Sequence, residues 1–113
     1  MALVILRGLT GSGKSTVATI LAKRHPRIVE IGIDKIREEN ATESYCFPEA
    51  GRRAKRLLGE GVTVIVHDAF DNQKHVKMFL EPTGLSLADN SVYVFRLRCT
   101  KGEAIERNSR KTD

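Results

Sequence analysis

The sequence predicts an α/β architecture on a parallel sheet, and three features of its patterning lead there. Short apolar runs alternate with helix-spaced segments along the chain. The runs are continuous rather than alternating, as in parallel strands covered on both faces. The segments between them are long enough for the right-handed crossovers that parallel neighbours require.

Leu3 to Leu6 reads as a buried first strand. After a glycine-rich stretch, Val17, Ala18, Ile20, Leu21 and Ala22 fit a helix packed on a sheet, which Pro26 ends. Ile28 to Ile33 reads as a second strand, and Asp34 to about Asn40 as a helix. Tyr45 to Pro48 reads as a loop. From Glu49 to Gly59, Ala50, Ala54, Leu57 and Leu58 recur at helical spacing. Gly61 introduces a third strand over Val62 to Val66, with His67 and Asp68 at its end. Asn72 to Glu81 follows as a helix with Val76, Phe79 and Leu80 on its apolar face. Pro82 and Gly84 open a loop, Ser91 to Leu97 is a fourth strand, and Lys101 to Asn108 a short helix.

Composition narrows the function classes. The chain has 113 residues, the length of one domain, with 19 basic residues against 14 acidic ones and a net charge of +5. That excess suits a phosphate-rich partner, nucleotide or nucleic acid, without requiring one. Cys46 and Cys99 stand apart from any zinc spacing and read as reduced thiols of a cytoplasmic protein. No apolar run approaches the roughly 18 residues of a membrane span, so no membrane partner is expected.

The chemistry begins at Gly8-Leu9-Thr10-Gly11-Ser12-Gly13-Lys14-Ser15, a full match to G-x-x-x-x-G-K-[ST]. Glycines let backbone amides approach phosphate oxygens, and the following helix turns its positive end to them. Lys14 can place an ammonium on the outer phosphates, and Ser15 can offer its hydroxyl to magnesium. Gly8, Thr10, Gly11, Ser12, Gly13, Lys14, Ser15 and Thr16 are therefore the candidate nucleotide-binding residues, with ATP and Mg2+ as cofactors. The chain has no N-K-x-D stretch for guanine and no L-S-G-G-Q signature, and it is too short for a ring-forming ATPase. Kinases remain.

In open α/β sheets ligands bind beyond the carboxyl ends of the strands, which here deliver Gly8, Asp34 and Asp68 to one edge. Asp68 is placed to hold magnesium through water, although an aspartate there also serves simply to turn the chain. Asp34 can accept the proton of an attacking hydroxyl, and Arg37, three residues on, can grip an anionic group on the acceptor. An N-capping Asp34 with a solvated Arg37 is the plainer alternative.

On these motifs the chain resembles the P-loop kinases that include polynucleotide 5′-hydroxyl kinases, zeta toxins and gluconate-kinase-like enzymes. The resemblance covers nearly the whole chain. It rests on Gly8 to Ser15, on Asp34-Lys35-Ile36-Arg37, on the strand ending at Asp68, and on Arg107-Asn108-Ser109-Arg110. It implies a P-loop NTPase fold, three layers α/β/α with strand order 2-3-1-4. It also implies that Asp34 is the catalytic base, that Arg37 contacts the acceptor, and that Arg107 and Arg110 are lid arginines over the transferred phosphate. Residues 1–113 would then be one kinase-like domain, incomplete at its C-terminal end, lacking the fifth strand and adenine loop that the family carries beyond the lid. Where the family often has an arginine after the third strand, this chain has His75 and Lys77.

The expected activity is transfer of the terminal phosphate of a nucleoside triphosphate to a hydroxyl on a small molecule or polynucleotide. Two rivals stand beside it: a nucleotide-binding protein without catalysis, and a nucleic-acid-binding module built on Arg52, Arg53, Lys55 and Arg56.

Overall fold

The computed structural model describes residues 2–8 and 14–97. Among them, strands β1 (Leu3–Arg7), β2 (Ile28–Gly32), β3 (Thr63–Asp68) and β4 (Val92–Arg96) form one parallel sheet in the order β2-β3-β1-β4. This is the predicted order. Leu3 lies opposite Val64 on one side and Val92 on the other, and Arg7 ends in register with Asp68 and Arg96. The two central strands, β1 and β3, are the most apolar runs of the sequence, because both their faces are covered.

Helices α2 (Ile33–Arg37), α3 (Glu43–Gly59) and α4 (Gln73–Leu80) cover one face. Leu3, Ile5, Val64, Val66, Val92 and Val94 alternate along the strands to meet Phe47, Ala50, Ala54, Val76 and Phe79 in one cluster. Phe47, Phe70 and Phe79 are fully buried there, each contributing about 1.5–3 kcal/mol of apolar burial. The close approach of α3 and α4 requires Gly51: a Cβ at that position would lie 2.2 Å from the carbonyl oxygen of Phe79 and 3.1 Å from Pro82.

Helix α1 (Lys14–Arg24) covers the opposite face. Among the described residues Leu6, Ala18 and Ile65 are enclosed there, with Val4, Val17, Leu21, Ile28 and Phe95 around them. A polar group supplements them. The Thr19 hydroxyl donates to Glu30 at 3.0 Å, and the other oxygen of Glu30 lies 2.9 Å from His67 Nε2.

The structure corrects two boundaries. Tyr45 to Pro48 belongs to α3, which begins at Glu43, although Pro48 lies inside the helix and removes one backbone donor. Burial explains why the helix persists there: Cys46 and Phe47 are 1% exposed, and the Cys46 thiol donates to the Asn40 carbonyl at 2.9 Å. Ile33 opens α2 rather than closing β2, and it packs in the core. The expected helix over Lys101 to Asn108 lies outside the described residues.

Candidate active site

The described site candidates lie at the carboxyl edge of the sheet. There β1 ends at Arg7, followed by the buried Gly8 with φ 147°, a conformation that L side chains rarely adopt. The Gly8 amide donates to the Ala69 carbonyl at 3.4 Å. Helix α1 starts at Lys14, so Lys14, Ser15 and Thr16 form its first turn. Thr10, Gly11, Ser12 and Gly13 lie outside the described residues, as do Arg107 and Arg110.

On the neighbouring strands the structure joins three residues that the sequence placed in separate roles. Arg37, at the end of α2, donates to Asp34 Oδ1 at 2.6 Å. The same guanidinium forks onto Asp68 at 2.7 and 3.3 Å. Exposure separates the two carboxylates: the side chain of Asp34 is 90% accessible and that of Asp68 only 4%. Asp68 is therefore a buried charge, and such a charge is tolerated where it is paired and hydrogen-bonded. Its Oδ2 also accepts the Phe70 amide at 3.0 Å. The hydrogen bond to Asp68, together with attraction to both carboxylates, raises the Arg37 guanidinium above its ordinary value, against the effect of burial.

Aromatic contacts support this group. The Arg37 guanidinium lies 5.7 Å from the Phe47 ring centroid, and the His75 ring stacks on Phe47 at 4.4 Å and 10°. His75 is 7% exposed. Its nitrogens lie 3.0 Å from Glu43 and 3.0 Å from Asp71, close in distance but poorly aligned as hydrogen bonds. The Asn72 side chain caps α4 by accepting the His75 amide at 3.1 Å.

Sequence reasoning missed Arg7. Its guanidinium donates to the Gln73 side chain at 3.0 Å and to the Phe70 carbonyl. Burial, and then the like charge of Arg96, lower it from its ordinary value, with Asp71 acting the other way. The available signal was a cation closing a buried strand directly before the glycine motif.

The basic cluster on α3 is partly neutralised. Arg52 and Arg53 both bond Glu49, and Arg53 also bonds Glu39 at 3.0 Å. Lys55 and Arg56 are exposed. A cleft of about 830 Å³ along α4 and the following segment is lined by Lys77, Met78, Leu85 and Leu87 among others, and contains none of the candidate residues.

Four parallel strands in this order, helices on both faces, and a glycine-rich stretch leading from the first strand into the first helix define a P-loop NTPase-like α/β fold. A solved structure shares it. A cysteine-to-alanine mutant of the APS kinase CysC of Mycobacterium tuberculosis matches with a TM-score of 0.54 and 21% identity, over 96% of this chain and 81% of that one. At that identity the likeness is one of fold. The sequence matches no family model and no curated protein. No helix among the described residues is long and apolar enough to cross a membrane.

Proposed function

We propose that the chain is a P-loop kinase that moves the terminal phosphate of ATP to an acceptor hydroxyl on a small molecule or polynucleotide. The observation that carries this reading is the Asp34–Arg37 pair. An accessible carboxylate, oriented at 2.6 Å by an arginine, stands on the sheet edge where the glycine motif begins. Asp34 accepts the acceptor's hydroxyl proton, and Arg37 holds the acceptor's anionic group. Gly8 to Thr16 cradle the phosphates, with Lys14 on the outer ones, and Arg107 and Arg110 close over the moving group. Bound ATP supplies the phosphoryl group and magnesium offsets its charge.

The donor types at these positions, a serine hydroxyl and an aspartate, suit such an ion. Among the described residues no group of three or more His, Cys, Asp and Glu could hold a metal. Magnesium in nucleotide sites needs no such cage, since one or two protein oxygens and the phosphates suffice. Ser15 is the proposed direct ligand. Asp68 spends three acceptor positions on Arg37 and the Phe70 amide, which leaves one for a water-mediated contact.

The neutralised arginines of α3 weigh against the nucleic-acid-module reading. The proposed location is the cytoplasm, where ATP is at hand, and the fold neighbour makes APS one acceptor to include in a screen.

Calorimetric titration of magnesium-ATP and magnesium-GTP, with Lys14→Ala alongside, tests the phosphate site. Saturable binding, weakened by about a hundredfold or more in Lys14→Ala, is expected. A folded wild-type chain that binds neither nucleotide overturns the reading. With an acceptor in hand, Asp34→Asn is expected to lower kcat about 10²–10⁴-fold.

A further inference from the structure

We propose that Arg7 is a positioning residue: through the Phe70 carbonyl it ties the start of the phosphate loop to the Asp68–Arg37–Asp34 group. The proposal rests on the functional reading above and adds a member that the reading does not contain.

An arginine closing a central buried strand is an unfavourable choice unless it is used. Its Nε is sealed from solvent without a hydrogen-bond partner, and its register neighbour on β4 is another arginine. What the guanidinium gains is a fixed fork, with one arm on Gln73 Oε1 and the other on the Phe70 carbonyl.

Phe70 is where the fork matters. With φ 44°, it is the non-glycine residue of positive φ among the described residues. Such a conformation persists only where the surroundings hold it. Here the amide is held by Asp68 Oδ2 at 3.0 Å, the carbonyl by Arg7, and the fully buried ring lies 5.6 Å from that of Phe47 and 6.0 Å from that of Phe79. A residue pinned at its amide, carbonyl and ring transmits displacement instead of absorbing it.

Two short paths follow. From Phe70 the chain of contacts runs through Asp68 to Arg37 and on to Asp34. In the other direction it runs through Arg7 to Gly8, whose own amide reaches Ala69, the residue before Phe70. The phosphate loop and the acceptor pair therefore hang on the same turn. The proposed role of this shared turn is to set the spacing between the two, since an error of about 1 Å in such a reaction costs on the order of a hundredfold in rate.

The test reads Arg37, which Arg7 does not touch. Rotation of the Arg37 guanidinium is measured by 15N NMR on the whole nucleotide-free chain, in wild type, Arg7→Met and Gln73→Ala. Arg7→Met is expected to quicken rotation about tenfold, the scale of one lost hydrogen bond, and Gln73→Ala to quicken it by less. A purely local role for Arg7 disturbs the signals of Phe70 and Gln73 but leaves Arg37 at its wild-type rate, and that result in folded Arg7→Met overturns the proposal. Should Arg7→Met fail to fold, Arg7→Gln, polar but too short to keep the fork on the Phe70 carbonyl, decides on the same readout, with an unmoved Arg37 again overturning the proposal. Because no nucleotide is present, this result stands apart from the Lys14→Ala titration, which bears on the functional reading alone.

Discussion

On one face of the sheet Phe47, Phe70 and Phe79 are fully enclosed by the residues of α2, α3 and α4. On the other, the enclosed members beneath α1 are Leu6, Ala18 and Ile65, and Ile20 on α1 is 46% exposed. Arg37 and Asp68 belong to the first face, and the helix that begins at Lys14 belongs to the second. Among the described residues, apolar packing surrounds the aspartate–arginine group, while helix α1 rests on fewer enclosed apolar side chains and a polar group. Among the described residues the two faces are thus held by different means, one mainly by aromatic burial and the other by a small apolar cluster joined to a polar group.

The largest effect that could break this comparison comes from Phe79→Ala. It is expected to cost about 3–5 kcal/mol in urea denaturation, while Ile20→Ala stays within about 0.5 kcal/mol. Equal costs for the two would abolish the asymmetry.

A smaller change sharpens it. Glu30→Ala removes the acceptor shared by Thr19 and His67 and is expected to cost about 1–2 kcal/mol. Amide exchange should quicken along α1 and stay unchanged along α3. Uniform quickening would mean that the polar group serves the whole fold instead of one face.

The smallest effect concerns pH. The hydrogen bond from Arg53, opposed by burial and supported by the bond from Arg52, pulls Glu49 below its ordinary value of 4.5. A carboxylate depressed in the folded state adds stability above its unfolded value, and that contribution disappears as pH falls through the folded one. Thermal midpoints should therefore drop below pH 4.5 slightly more steeply in wild type than in Glu49→Gln. Identical slopes would assign no net role to this partly buried ion pair.

Much of the architecture was legible because parallel strands announce themselves. Leu3 to Leu6 and Val64 to Val66 are apolar on successive residues, a pattern that only a strand covered on both faces sustains. The N-terminal part of α3 was not legible. Pro48 reads locally as a breaker, and only the burial of Cys46 and Phe47 outweighs it. At the site, the spacing of Asp34 and Arg37 is local and could be read, and the structure brings the two to 2.6 Å. The reach of Arg37 to Asp68 spans 31 residues, and no periodicity carries that distance. Arg7 was hidden for a related reason, since its partners at Phe70 and Gln73 are brought to it by the sheet register.

The contact at Gly51 bears on how this sequence can drift. Helices α3 and α4 are spaced there by the absence of a side chain, and the atom that a Cβ would strike is backbone, at 2.2 Å from the Phe79 carbonyl. No rotamer change can make room, so any other residue must push α4 and Pro82 outward together. Helix α4 carries His75 against Phe47, and Phe47 packs beneath Arg37. A position with no chemistry of its own is thus held to glycine by the helix spacing it sets, and no side-chain change at 82 alone relieves the clash with the Phe79 carbonyl.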